Sequence, residues 1–284
     1  MDRQTRTNLP RTPGEKLSAL RQALQEMERV AVAFSGGVDS SFLVKTAHDV
    51  LGENCIALTA LSPAFPEQAQ AKAFCDRYGI RQVTFSAGVL TLDQFVNNPP
   101  DRCYHCKKFL FQQMKEIAAG VGFSVLVEGS NVDDLSDYRP GLQALTELGI
   151  QSPLREWGMT KEDIRTLSRE MGLPTWNQPS AACLASRIPY GEQITGEKLE
   201  RIAAGEGLLH RLELRRCRLR VHGGVARIEV EPKDFSILLS QRESLCKSLH
   251  QLGFAYVTLD LDGIRTGSMN EVLPRKEEEP LGTA

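Results

Sequence analysis

Residues 30–34 read Val-Ala-Val-Ala-Phe, and the next seven read Ser-Gly-Gly-Val-Asp-Ser-Ser. An apolar, β-branched run that stops at two glycines predicts a buried strand turning at once into a helix, with the helix start at Ser40 or Ser41. Gly36 and Gly37 let the backbone take positive φ and approach a ligand closely. The new helix start points unbonded N–H groups and a positive dipole end at the same place, which favours an anion. The hydroxyls of Ser35, Ser40 and Ser41 add donors. A Walker loop would carry a Lys after its second glycine to reach the terminal phosphates. Val38 and Asp39 stand there instead, so the loop belongs to another kind of phosphate chemistry.

The rest of the N-terminal part repeats the strand–helix alternation. Helices are predicted over 14–27, 67–78 and 105–119, and strands over 55–61, 83–85 and 123–128. This order argues an α/β fold built on a parallel sheet covered on both faces. Ligands of such sheets sit beyond the C-terminal ends of the strands, where Ser35 and Gly129 both fall. A helix over 160–171 opens with a capping-box pattern at Thr160. Residues 173–195 are rich in Pro, Ser and Gly. From about 196 the pattern changes: a helix over 196–211, alternating strands over 216–221 and 226–231 joined by Gly223-Gly224, a helix over 233–251 and a strand over 254–261. The Gly-Gly turn predicts a hairpin, and the set reads as a smaller α+β domain. The expected boundaries are 14–194 for the first domain and 195–273 for the second, with loose tails at 1–13 and 274–284.

Composition narrows the function. The chain of 284 residues carries a net charge of −2, so it is no electrostatic magnet for nucleic acid. No run of 18 apolar residues exists, so no membrane span is expected. The N-terminus lacks the apolar stretch of a signal peptide, which leaves a cytoplasmic location by default. Seven cysteines in such a chain argue against a disulfide framework. Cys55, Cys75, Cys217 and Cys246 fall in periodic elements and read as small buried hydrophobes.

Three other cysteines stand in unusual strings. Arg102-Cys103-Tyr104-His105-Cys106-Lys107 contains a C-x-x-C pair, a metal half-site or a redox pair. With Cys183 it makes three thiolates, enough for a [4Fe–4S] cluster with one open iron; a Cys₃His zinc site using His105 competes. Cys183 lies in Pro-Ser-Ala-Ala-Cys-Leu-Ala-Ser-Arg, four residues before Arg187, and a cation favours the nucleophilic thiolate. After the strand at 123–128 comes Gly129-Ser130-Asn131-Val132-Asp133-Asp134. Its carboxylates, with Asp39, are candidates to hold Mg²⁺ on phosphate oxygens. Strand alternation puts Arg216, Arg218 and Arg220 on one face, suited to phosphate, although a solvated face with cross-strand ion pairs reads equally well.

Residues 35–41 resemble the SGGxDS loop of the PP-loop ATP pyrophosphatases, which attack ATP at the α-phosphate and release pyrophosphate. Together with residues 102–107, 128–134, 179–191 and 216–221, the chain is similar, over roughly 14–273, to the LarE family of ATP-dependent sulfur transferases. That resemblance implies a PP-loop (adenine nucleotide α-hydrolase-like) fold. It also implies adenylation of a carboxylate of pyridinium-3,5-biscarboxylic acid mononucleotide and replacement of its oxygen by sulfur, in nickel-pincer nucleotide biosynthesis. The implied cofactors are ATP and Mg²⁺. In one branch of the family the residue matching Cys183 gives up its own sulfur and becomes dehydroalanine; in the other three cysteines hold a [4Fe–4S] cluster carrying an extra sulfide. Cys103, Cys106 and Cys183 resemble the second. The resemblance further implies that Arg218 and Arg220 contact the substrate phosphate with Glu206 and Glu229 nearby, that Ser186 and Arg187 orient the acyl-adenylate, and that the protein is a homo-oligomer acting on a small nucleotide, with no nucleic acid or membrane partner. A tRNA thiolase with an iron–sulfur site and an ammonia-dependent amidating ligase are the alternatives.

Overall fold

The structure, a computed structural model, describes residues 12–136, 140–179, 182–214, 216–265 and 267–271. The expected tails therefore lie largely outside the described residues, as do Ser180 and Ala181 of the Cys183 string. The helices are α1 (Pro13–Glu26), α2 (Val38–Leu51), α3 (Gln68–Tyr78), α4 (Asp93–Val96), α5 (Arg102–Gly120), α6 (Pro140–Glu147), α7 (Pro153–Glu156), α8 (Lys161–Glu170), α9 (Gly196–Arg211), α10 (Phe235–Ser240) and α11 (Arg242–Gln251). The strands are β1 (Val30–Ala33), β2 (Cys55–Leu61), β3 (Arg81–Ser86), β4 (Val125–Val127), β5 (Cys217–His222), β6 (Val225–Val230) and β7 (Tyr256–Leu259). Two units are compact in themselves. One takes the residues up to Ala185 and Gly191–Leu199; the other takes Ser186–Tyr190 and the residues from Glu200 on.

In the first unit four strands lie in the order β3-β2-β1-β4, and every pairing is parallel. Period-two alternation divides β1 and β2 between two cores. Val30, Val32, Phe34, Cys55 and Ala57 pack with Leu20 and Leu24 of α1, Phe42 and Leu43 of α2, and Ile164 and Leu167 of α8. Ala31, Ile56 and Leu58 pack with Phe111 and Met114 of α5 and Leu145 of α6. The expected parallel α/β sheet with helices on both faces is what forms. Each of these leucines and phenylalanines contributes roughly 1.5–3 kcal/mol by leaving water. That is how the sheet holds its strand ends rigid enough to carry a site.

The second unit has a three-stranded sheet, β5-β6-β7, with β5 and β6 antiparallel and β6 and β7 parallel. His222 pairs with Val225, so Gly223 and Gly224 form the predicted two-residue turn. The apolar face carries Cys217, Leu219 and Val221 opposite Val230, Ile228 and Ala226. A Cβ at Gly205 of α9 would stand 2.5 Å from Leu219 Cδ1 and 3.4 Å from Leu249 Cδ2. A larger residue at 205 would push Leu219 aside where α9 packs on this face.

Several expectations are corrected. The helix after the phosphate loop starts at Val38, not at Ser40 or Ser41, because Gly37 is its N-cap and neither serine caps it. Helix α5 begins at Arg102 rather than 105, so Cys103 and Cys106 both lie within it, one turn apart. The helix expected over 233–251 is two helices that break at Gln241. Ser240 Oγ donates to Ile237 O (2.8 Å) and Ser244 Oγ to Gln241 O (3.0 Å), local bonds that compete with the helical ladder. Helices α4, α6 and α7 were not anticipated.

Candidate active site

The phosphate loop sits where β1 ends, against the end of β4. Gly36 has φ +89°, and a Cβ there would meet Glu67 O at 3.1 Å and the Ala71 backbone N at 3.2 Å. A Cβ at Gly129 would stand 3.1 Å from Ser40 N and 3.3 Å from both Asp39 C and Ser40 Cα. The two candidate loops thus touch backbone to backbone. Ser35 Oγ accepts from Gly37 N (3.3 Å) and lies 3.1 Å from Ser40 Oγ, which donates to Gly37 O (3.2 Å). Ser35 is exposed on the loop, whereas Val38 and Ser41 are buried under it. No side chain caps α2, so its first amides stay available to an anion.

Asp39 lies in the first turn of α2 and pairs through Oδ2 with Lys161 Nζ of α8. Its other oxygen, Oδ1, is buried and has no partner among the described residues. Burial holds the Asp39 carboxyl above the ordinary carboxylate range, Lys161 opposes that rise, and Asp134 adds to it. An unsatisfied carboxylate oxygen at a phosphate cradle has the hard-oxygen chemistry that a Mg²⁺–phosphate pair accepts. Asp133 Oδ2 accepts from the backbone N of Lys161 (2.7 Å), and Asp134 Oδ2 accepts from Asn131 N (3.0 Å). The Gly129–Asp134 turn is thereby tied to α8.

Lys161 and Glu67 lie beside the phosphate loop, and no motif in the sequence singles them out. Lys161 resembles any first residue of a capped helix, and its partner Asp39 lies 122 positions away. Glu67 is the N-cap of α3, and its Oε2 would lie 3.4 Å from a Cβ at Gly37. The one sequence signal is that both sit at helix starts, Glu67 before α3 and Lys161 at the head of α8.

The three thiols of interest all belong to the first unit. Cys103 is exposed, Cys106 buried and Cys183 half-buried. Burial drives the Cys106 thiol well above its ordinary pKa, and the neighbouring Cys183 and Cys103 push it further, in that order. Cys183 therefore stands near Cys106 although it is far from the pair in sequence. Among the described residues no three His, Cys, Asp or Glu side chains are disposed around a single metal ion. His105 Nε2 lies 3.2 Å from Asp101 Oδ2. The Cys183 segment is anchored by Leu184 N, which donates to Ala64 O (2.9 Å) after β2.

The second unit contains a buried ionic lattice. Arg220, 2% exposed, grips the fully buried Glu229 with Nε and Nη2, both at 3.0 Å, and also donates to Ser186 O (2.6 Å) and Ser268 Oγ (2.8 Å). Arg227 Nη2 adds a third guanidinium bond to Glu229 (3.0 Å). Arg187 pairs with Glu206 (2.8 and 3.3 Å) and donates to Ser186 Oγ (2.8 Å), and Glu206 also accepts from Leu219 N (3.1 Å). Arg218 is half-buried and donates to Arg265 O (3.2 Å). Burial lowers its pKa, the Arg220 and Arg187 charges lower it further, and Glu229 and Glu206 oppose them. Structure thus brings Ser186, Arg187, Glu206, Arg218, Arg220 and Glu229 into one cluster. Arg220 is its clamp, while Arg218 lies beside the Arg220–Glu229 and Arg187–Glu206 pairs.

A family profile described as "Asparagine synthase" matches residues 17–117. An uncharacterized protein of Synechocystis sp. is 40% identical over 264 residues, covering 92% of this chain and 98% of its own. An uncharacterized protein of Methanocaldococcus jannaschii is 29% identical over 255 residues, covering 89% and 98%. The pyridinium-3,5-bisthiocarboxylic acid mononucleotide synthase of Lactiplantibacillus plantarum is 36% identical over 269 residues, covering 94% and 98%. Similarity of that extent takes in the phosphate loop, the cysteine strings and the arginine strand together, so the chain belongs to the LarE family, that of the pyridinium-3,5-bisthiocarboxylic acid mononucleotide synthase.

Proposed function

We propose that this protein is an ATP-dependent sulfur transferase that converts a carboxylate of pyridinium-3,5-biscarboxylic acid mononucleotide to a thiocarboxylate, for nickel-pincer nucleotide biosynthesis. The observation that carries the reading is the 36% identity to the synthase over 94% of the chain. In this reading residues 35–41 and Gly129 cradle the ATP phosphates, with the amides of α2 and Ser35 Oγ as donors. Asp39 would hold Mg²⁺ through the oxygen that lacks a protein partner, with Asp133 ordering the neighbouring turn. Mg²⁺ there would neutralise phosphate charge and favour departure of pyrophosphate. The substrate carboxylate attacks the α-phosphorus, the α–β bridge breaks, and an acyl-adenylate forms. A sulfur nucleophile then attacks the acyl carbon and AMP leaves. Arg218 pairs with the substrate phosphate, Arg220 and Glu229 hold the strand that carries it, and Ser186, Arg187 and Glu206 orient the acyl-adenylate.

Cys103, Cys106 and Cys183 are the residues that would hold a [4Fe–4S] cluster. Cys183 and Cys103 are close enough to the Cys106 thiol to raise its pKa beyond what burial does, and a cluster takes each thiolate on its own iron. When bound, it supplies sulfide as the sulfur donor. In the sacrificial alternative Cys183 itself attacks and leaves its sulfur behind. The reading places a homo-oligomer in the cytoplasm; among the described residues no helix is long and apolar enough to cross a membrane. Anaerobic purification with iron and sulfide analysis of the wild type and of Cys103→Ala separates the donors. Iron near four per chain, lost in the variant, supports the cluster. Iron-free protein that turns over once and loses the mass of H₂S from Cys183 refutes it.

A further inference from the structure

We propose that Glu67 carries a proton onto the phosphate site: its carboxyl binds the nucleotide in the protonated form, donating a hydrogen bond to a non-bridging phosphate oxygen, so that nucleotide binding takes up a proton from solvent. The proposal rests on the reading of residues 35–41 as the ATP loop. Glu67 Oε2 and Oε1 would stand 3.4 and 4.0 Å from a Cβ at Gly37, with Ser35 Oγ at 3.5 Å from the same point. A carboxyl group therefore stands directly beside the turn that cradles phosphate. As an anion it would repel the ligand; as a neutral acid it is a donor in line with Ser35 Oγ and the amides of α2. The charged groups around it are few. Lys161 of α8 faces it, but that ammonium is already paired with Asp39 of α2.

Burial raises the Glu67 carboxyl to about 7, against the pull of Lys161. The site is thus poised to hold or lose this proton at neutral pH, and an arriving polyanion raises its proton affinity further. The proton comes from the buffer and returns to it when pyrophosphate departs. No bond of the nucleotide is made or broken in this step.

The test is calorimetric titration of α,β-methylene-ATP with Mg²⁺ at pH 8, in buffers of different ionisation enthalpy, for the wild type and Glu67→Gln. The amide of the variant donates without a titrating proton. The wild type should take up close to one proton more per nucleotide than Glu67→Gln, while the variant keeps its affinity within a few-fold and Glu67→Ala loses at least tenfold. Folding gives a second readout. A carboxyl raised to about 7 in the folded state contributes stability that is complete below its unfolded value and lost as pH rises through 7. The urea midpoint of Glu67→Gln should accordingly exceed that of the wild type by more at pH 8 than at pH 5. Equal proton uptake in two proteins that both bind the nucleotide overturns the proposal and leaves the ATP site standing. Absence of nucleotide binding by the wild type overturns both.

Discussion

Gly129→Ala tests how the two loops are joined. The added methyl would stand 3.1 Å from Ser40 N and 3.3 Å from Asp39 C and Ser40 Cα. All three are backbone atoms, and none can rotate away. They belong to the first turn of α2, which is fixed by the Ser41 N to Gly37 O bond of 2.9 Å and by Ser40 Oγ on the same carbonyl at 3.2 Å. The relief is a shift of a few tenths of an ångström in the amides that face phosphate. Overpacking of this kind costs about 1–3 kcal/mol. If the nucleotide cradle bears that strain, kcat/KM for ATP falls about 5- to 150-fold. ATP–pyrophosphate exchange at saturating carboxylate substrate measures it, with a urea midpoint to account for lost folded protein. Gly120→Ala is the control, because a Cβ there meets nothing within 4 Å and its φ is not positive. Wild-type exchange kinetics in Gly129→Ala, or a loss matched by Gly120→Ala, would refute the reasoning.

Other tests follow from the same geometry. Glu229→Ala leaves Arg220, 2% exposed, without its bidentate partner; it should cost about 3–5 kcal/mol in urea unfolding, and replacing both residues with apolar ones should cost much less. Burial raises Cys55, Cys75 and Cys217 each to about 12. Their stabilising contribution is complete below the unfolded thiol value of about 8.5 and lost as pH rises towards 12, so stability should fall through that window and Cys217→Ala should flatten the fall. With the metal-free native protein at pH 8, a thiol reagent should label the exposed Cys103 first, and Cys55, Cys75 and Cys217 only on unfolding; mass mapping of the labelled peptides checks the order.

What was legible in the sequence depended on how local the cause is. The strand–turn–helix at 30–41 was readable because Gly36 and Gly37 leave few alternatives. Its helix start is less legible because serine there reads as a cap, whereas Ser40 bonds back to Gly37 O from inside the first turn. The hairpin at Gly223-Gly224 was readable from alternation on both sides. Helices α4 and α7 were not, since four residues are too few to display a period. The alternation of the arginine strand is legible in the sequence, but not the burial of Arg220. Glu229 lies opposite Arg218 in register yet bonds Arg220 diagonally, a choice made by Ser186 and Ser268 from distant parts of the second unit. Lys161 and Glu67 reach the loop only through the packing of α8 and α3 on the parallel sheet, which no local pattern records.

Activation of a carboxylate for sulfur at the phosphate loop is the step on which the proposed function turns. Its most direct test is anaerobic incubation of the purified protein with MgATP and pyridinium-3,5-biscarboxylic acid mononucleotide, with mass spectrometry of the nucleotide product beside assays for AMP and pyrophosphate. The expected product is a thiocarboxylate in which sulfur has replaced a carboxylate oxygen, with one AMP and one pyrophosphate formed for each sulfur inserted. ADP and phosphate in place of AMP and pyrophosphate, or an adenylated nucleotide that never gains sulfur, would contradict it.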